Sequence, residues 1–391
     1  MKGHSLSMIF VMLVVCSMAP AVLGDIQPKI PPGYVPEDAV TEKGIWMELS
    51  EYENAIRRSA LLVTDKKLND YVKSAACRVA GDYCNDLRVY IIRNPNFNAS
   101  MGANGVMQIW TGLLVRVTSE DELAAVLGHE LAHYTQLHTL TQLRKANKNL
   151  TAGSIFDLGL VFLTGTSVPV GQMAAIASLM AFSRDQEEEA DLLGVKFMRE
   201  AGYDPNAAAR VWEMIVEEET SAAVKRRQAG IFSQTHPSSK DRISTLKRFA
   251  SNNDGKVTPN ETGRINHVNV LNHFYMQLME DQIDTNRFGR TDAILAKHRK
   301  IGVEPSLVDF FYGEMYRQRN GLGDIELAKG AYDRATKGEK PVPEAHLNLG
   351  YIYLKDKTLP QARHHFMQYL ELRPDADDRA MIEFYLEEMN Q

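Results

Sequence analysis

His129-Glu130-Leu131-Ala132-His133 is the stretch of the chain best equipped for chemistry. Residues i and i+4 share one face of a helix, so both imidazoles can address a single metal ion, with Glu130 beside them as general base. Ser119 and Glu122 have the spacing of a capping box, and Glu120, Asp121 and Glu122 favour a helix N-terminus. The predicted helix then runs through Leu123, Val126, Leu127, Leu131 and Leu137 to about Lys145, and Gly128 permits close backbone packing just before the first histidine. A catalytic zinc takes three protein ligands and keeps one position open, so a third ligand must come from elsewhere. His138 lies too close in sequence and lacks the glycine-containing spacing of the metzincins, Gln136 breaking that pattern; its predicted fate is a solvent-facing side chain. Glu187 and Asp191 are a better source. They stand at i and i+4 in the run Asp185–Asp191, so one carboxylate can ligate while the other orients a ligand imidazole from behind. A solvated acidic face is the commoner meaning of such a run, and Glu188 and Glu189 compete for the role.

These groups need a scaffold. Arg88–Ile92 and Val106–Trp110 are rich in β-branched and aromatic residues and predict two short strands flanking a Gly/Asn turn, a small antiparallel sheet. Apolar positions at helical spacing fill 45–80, and a long acid-rich helix is predicted over 183–220. The chain has 391 residues, 44% hydrophobic and 24% charged, which suits two or three globular domains. Its 50 acidic residues against 44 basic ones give a net charge of −6. That balance, with no basic stripe to neutralise phosphates, argues against a nucleic-acid partner.

Residues 1–24 combine Lys2, the apolar run Met8–Val15 and small residues in Ala21-Val22-Leu23-Gly24, the pattern of a cleaved secretory signal. Export makes Cys77 and Cys84, seven apart, a candidate disulfide. Pro28, Pro31, Pro32 and Pro36 predict an extended arm over 25–44. Residues 152–182 are apolar but interrupted by Asp157, Gly159, Gly165, Pro169 and Gly171, which favours a buried or membrane-facing helical hairpin, with peripheral membrane contact, over a span. The polar, turn-prone stretch 251–264 reads as a linker. In 265–391, Gly313 aligns with Gly350, and Ala328 and Tyr332 recur as Ala362 and Phe366 at a separation of 34, the period of tetratricopeptide (TPR) repeats, whose concave surfaces suit protein partners.

Gly128–His133 followed by Glu187-x-x-x-Asp191 resembles the gluzincin metallopeptidase family of the CAAX prenyl protease and HtpX type. Thr235-His236-Pro237, with Arg242 six after the histidine, resembles its second signature, and Asn98-Ala99 ahead of Gly105 is similar to the segment leading into its substrate-binding edge strand. The resemblance covers about 45–250, and the C-terminal repeats extend it toward the periplasmic β-barrel assembly-enhancing branch. Ser100-Met101 departs from the bulky aromatic of many relatives, and the CAAX protease's multiple membrane spans are absent, so prenylated substrates are not implied.

The resemblance implies a mainly α fold with a small β-sheet, in which a zincin-type metalloprotease domain at 45–250 precedes a TPR-like helical domain at 265–391. It implies one Zn2+ per chain on His129, His133 and Glu187, with Asp191 fixing a ligand histidine. Glu130 would take a proton from the attacking water and deliver it to the leaving amine, while His236 and Arg242 stabilise the oxyanion. Asn98, Ala99, Val106 and Gln108 would bind an extended polypeptide substrate by strand addition. The implied setting is protein quality control in the bacterial periplasm, with an outer-membrane assembly protein as partner of the repeats. The alternative is a TPR chaperone or scaffold whose metal site is secondary, or latched by His236 as a fourth ligand.

Overall fold

The computed structural model describes residues 26–36, 40–147, 181–220, 231–237, 240–251 and 261–389. The signal reading of 1–24 and all but the last two residues of the apolar segment 152–182 lie outside the described residues. Among the described residues, no helix is long and apolar enough to cross a membrane.

An extended arm leads to α1 (Val40–Arg58), which starts inside the stretch expected to be extended. The arm lies along the end of the motif helix: Lys29 N–H donates to Thr135 O (3.0 Å) and Gln136 Nε2 donates to Gln27 O (2.8 Å). Asp65 caps α2 (Lys66–Ala80) by accepting from Lys67 and Leu68 N–H. A disulfide between Cys77 and Cys84 ties the end of α2 to the short 3-10 turn Gly81–Asp86.

Strands β1 (Arg88–Ile92), β2 (Ala99–Met101) and β3 (Val106–Trp110) form one sheet in the order β1-β3-β2. β1 and β3 are parallel, with Arg88 opposite Val106; β2 is antiparallel to β3, with Ser100 opposite Gln108. The expected antiparallel pairing is therefore wrong. The connection contains β2, whose three residues are too few to show a period, and β2 reverses the chain before β3 returns it parallel to β1. Nor is Val106–Trp110 an edge. It is the central strand, buried at all five positions, with β1 and β2 as the outer strands.

After α3 (Thr111–Arg116) comes the motif helix α4 (Glu120–Thr135). Ser119 accepts from Glu122 N–H, while the Glu122 carboxylate reaches one residue further back, to Thr118 N–H (2.7 Å). Every residue from Asp121 to Thr135 is buried, so α4 is the central rod of the domain. It stops ten residues earlier than expected. Leu137 takes a left-handed backbone (φ +59°), and α5 (His138–Asn147) restarts in a new direction. The single helix expected over 183–220 is likewise two, α6 (Arg184–Glu200) and α7 (Asn206–Thr220), separated by a turn holding Gly202 (φ +76°) and Pro205.

α4 and α6 touch backbone to backbone. A Cβ on Gly128 would lie 2.9 Å from Gly194 O, and one on Gly194 would lie 3.0 Å from His129 N. Short α8 (Ile231–Thr235) and α9 (Lys240–Ser251) close the domain.

Seven helices follow: α10 (Glu261–Asp284), α11 (Phe288–Ile301), α12 (Pro305–Arg319), α13 (Asp324–Lys337), α14 (Pro343–Lys355), α15 (Leu359–Leu372) and α16 (Arg379–Glu388). α12/α13 and α14/α15 are hairpins of one design, in which a Cβ on Gly313 or Gly350 would overlap the ring of Tyr332 or Phe366. The helices after 264 are not set apart from the preceding domain. α10 packs on α2, α3 and α4, and one apolar core runs from α2 and α4 into α10–α14.

Two neutral imidazoles fasten this junction. His267 Nε2–H donates to Val117 O (2.9 Å) and Nδ1 accepts from Tyr71 O–H (2.9 Å). His298 repeats the pattern on Val115 O (2.7 Å) and Tyr275 O–H (2.8 Å). Burial pushes both down to about 4. The unfolded chain, titrating near 6.5, therefore binds protons that the fold refuses as pH falls from 6.5 to 4, so stability is lost across that window, by up to ~3 kcal/mol per histidine. The gap between urea midpoints at pH 7 and pH 4.5 should narrow when both are replaced by Gln, which can keep both hydrogen bonds without titrating. At the helix crossing, Gly194→Ala should cost ~1–3 kcal/mol, read as a lowered thermal midpoint.

Candidate metal centre

The α4/α6 crossing sets two ligand-bearing faces against each other. His129 and His133 project from α4, Glu187 and Asp191 from α6, and His236 follows α8. His129, His133, Glu187 and His236 are all buried, and each offers a ligand atom within 4.8 Å of the others. His129 Nε2 lies 3.1 Å from His133 Nε2, 3.6 Å from Glu187 Oε2 and 3.2 Å from His236 Nδ1. His133 Nε2 is 3.5 Å from Glu187 Oε1, and His236 Nδ1 is 3.0 Å from the same oxygen. Donors on a tetrahedral ion bound at ~2.05 Å stand about 3.3 Å apart, so three nitrogens and a carboxylate spaced in this way fit zinc. Glu188 is exposed and Glu189 half-buried, which settles the competition in the acidic run in favour of Glu187.

The charges of the site are balanced internally. Arg242 is bidentate to Asp191 (Nε–Oδ2 and Nη2–Oδ1, both 2.7 Å), reaches Glu187 Oε2 through Nη1 (2.5 Å) and donates to Pro237 O (2.9 Å). Its guanidinium lies over the Trp212 ring, 3.9 Å from the centroid. Asp191 Oδ1 in turn stands 3.1 Å from His129 Nδ1. Burial alone would raise the Glu187 carboxyl, but His236, His133 and His129 outweigh it and hold it well below the ordinary range. Burial would also raise Asp191, and Arg242 overcomes it. Burial drives His133 well below 6.5, which leaves its imidazole neutral, the form that ligates. Burial pushes Glu130 up, toward the range of a general base.

Glu130 Oε1 is buried, with no hydrogen-bond partner among the described residues, 3.6 Å from His236 Nε2, and Glu130 lines a cleft. Asn98, Ala99, Val106 and Gln108 all line that cleft, as do Tyr52 and Phe182. Asn98 O and Gly102 N–H pair with β3, so by alternation the backbone groups of Ala99 and Met101 point away from β3, and Met101 O is taken by Thr139 Oγ1 (3.1 Å). Gln108 belongs to the central strand, and its Nε2 donates to Tyr52 Oη, so it shapes the floor rather than offering an edge.

Two expectations need correction. The expectation places Arg242 at the oxyanion, but it is engaged by Asp191, Glu187 and Pro237 O, where it holds Glu187 and the Asp191 carboxylate behind His129. His138 was assigned to solvent and is 3% exposed, because the left-handed Leu137 turns it back toward His133, with Nδ1 3.1 Å from His133 Nδ1. Phe182, stacked on His133 at 3.8 Å, and Trp212, edge-on to His129, also border the centre; isolated aromatics carry no sequence signal of such a role.

Known proteins match the same region. A beta-barrel assembly-enhancing protease of Escherichia coli is 26% identical over 211 residues, 51% of this chain and 42% of the relative, and its Vibrio cholerae counterpart is 29% identical over 210 residues with the same shares. The mitochondrial metalloendopeptidase OMA1 of Schizosaccharomyces pombe is 34% identical over 166 residues, 41% of this chain and 46% of the relative. The matched region thus spans less than half the length of these relatives. Residues 63–250 match Peptidase family M48, and that stretch takes in β1 to β3, the α4/α6 crossing, His236 and Arg242, so the chain carries a Peptidase family M48 domain.

Proposed function

We propose that the chain is a zinc-dependent endopeptidase of the bacterial periplasm that acts on polypeptides in envelope and outer-membrane protein quality control. The observation that carries the catalytic part is the buried set His129, His133 and Glu187 beside Glu130, which lines a cleft bordered by the outer strand β2. Zinc held there would bring the pKa of a bound water to about 7 and polarise the scissile carbonyl. An extended substrate would pair with the outward N–H and C=O of Ala99, a sequence-tolerant mode suited to misassembled chains. Glu130 would accept the water proton and pass it to the leaving amine. His236, through the Nε2 that faces Glu130, is the donor left for the oxyanion once Arg242 is committed elsewhere. The compartment is supported by the leader-like residues 1–24 and by relatives named for β-barrel assembly. The TPR-like hairpins are read as the docking surface for an outer-membrane assembly protein.

One observation favours a latched state. His236 Nδ1 stands at ligand spacing from both His129 Nε2 and Glu187 Oε1, so with a metal bound it could serve as a fourth ligand and would have to withdraw to admit water. A scaffold with a silent metal site is the extreme form of this reading.

Metal analysis paired with casein cleavage tests the proposal. About one zinc per chain and chelator-sensitive cleavage are expected, and Glu130→Gln should keep the metal while losing roughly 100- to 10,000-fold in rate. Full cellular function of Glu130→Gln would favour the scaffold. His236→Ala separates the roles of that residue: higher basal cleavage means a latch, lower means an oxyanion donor.

A further inference from the structure

We propose that His138 is the positioning residue of His133, fixing its tautomer through a His133–His138–Glu189 chain that runs from the metal centre to the surface. The inference rests on reading His129, His133 and Glu187 as one metal site. His133 Nε2 faces that centre, 3.1 Å from His129 Nε2. To ligate it must present a lone pair, so the ring proton belongs on Nδ1. That Nδ1 lies 3.1 Å from His138 Nδ1, and two ring nitrogens at this distance share one proton. His133 Nδ1–H therefore donates, His138 Nδ1 accepts, and the proton of His138 sits on Nε2, which points at Glu189 Oε2 3.0 Å away. Every tautomer in the row is dictated by the need of the first nitrogen.

The fold bends to make this row. Leu137, a γ-branched residue, adopts a left-handed backbone that such residues rarely take, and the turn it makes is what brings His138 under His133. Glu189 is anchored on its far side by Lys29 of the N-terminal arm (3.2 Å). The two α4 histidines thus have different supports. His129 Nδ1 meets a carboxylate directly, at Asp191 Oδ1 (3.1 Å), whereas His133 reaches one through an interposed imidazole.

The experiment measures zinc affinity of the full chain by competition with a chromogenic chelator, and the visible spectrum of the Co2+-substituted protein. His138→Leu should weaken zinc by roughly 10- to 100-fold and alter the Co2+ bands, since the partners behind metal-bound histidines carry effects of that size. His138→Gln, whose carbonyl can accept from His133 while its amide donates to Glu189, should restore affinity to within about threefold. Glu189→Ala, a surface change with little bearing on folding, should move affinity in the same direction by a smaller factor. A Leu variant that binds zinc like the parent, a Gln variant no better than Leu, or a silent Glu189→Ala would overturn the chain. A parent protein that binds no zinc would instead overturn the metal reading beneath it.

Discussion

Two helices that touch backbone to backbone make the centre possible. An imidazole and a carboxylate are short side chains, and a metal–ligand bond is about 2 Å, so helices at the usual 8–10 Å separation leave little room to vary how their faces meet around one ion. Gly128 and Gly194 remove the side chains that would hold α4 and α6 apart. The contact sits one residue before His129 and three after Asp191, which sets the first histidine of one helix against the carboxylate that supports it from the other.

Such closeness concentrates charge where water is excluded. Glu130, Glu187 and Asp191 are all buried, and buried carboxylates are costly unless paired. Arg242 answers for two of them, bidentate to Asp191 and at contact with Glu187. That is why its guanidinium is locked on Trp212 and a backbone carbonyl instead of facing the cleft. Among the described residues no arginine or lysine pairs with Glu130, and burial raises it more than the nearby His236 and His129 lower it. One basic residue thus separates the roles of three acids: two are kept as fixed anions, and the third is left basic enough to move a proton.

Much of this could be read in the chain. The spacing of His129 and His133, the cap at Ser119 and the i, i+4 pair Glu187/Asp191 are local patterns, and local patterns survive folding. The repeat of Gly313 with Tyr332 in Gly350 with Phe366 is legible for the same reason. What failed depended on contacts distant in sequence or on single residues that break a period. β2 has three residues, too few to alternate visibly, yet it decides the sheet order. Leu137 has no sequence mark of a left-handed turn, since leucine rarely adopts one. The end of α4 and the burial of His138 were therefore invisible, and Arg242 could not be separated from the oxyanion without seeing Asp191 opposite it.

The helical repeats bear on the cleft through α3. That short helix follows directly from β3, the central strand beneath the cleft, and it ends at Val115–Val117, whose carbonyls accept from His298 and His267. Arg116 between them is bidentate to Glu218 of α7 and also donates to Gln282 of α10. α7 is the helix that presents Trp212 to His129 and Arg242. The later helices are therefore tied to the sheet by two imidazoles and to α7, which borders the metal centre, by one guanidinium. Nearly every link in that path is a buried polar contact, and such contacts are discrete, either made or broken. The helices after α9 and the metal centre are in this way joined by buried polar groups.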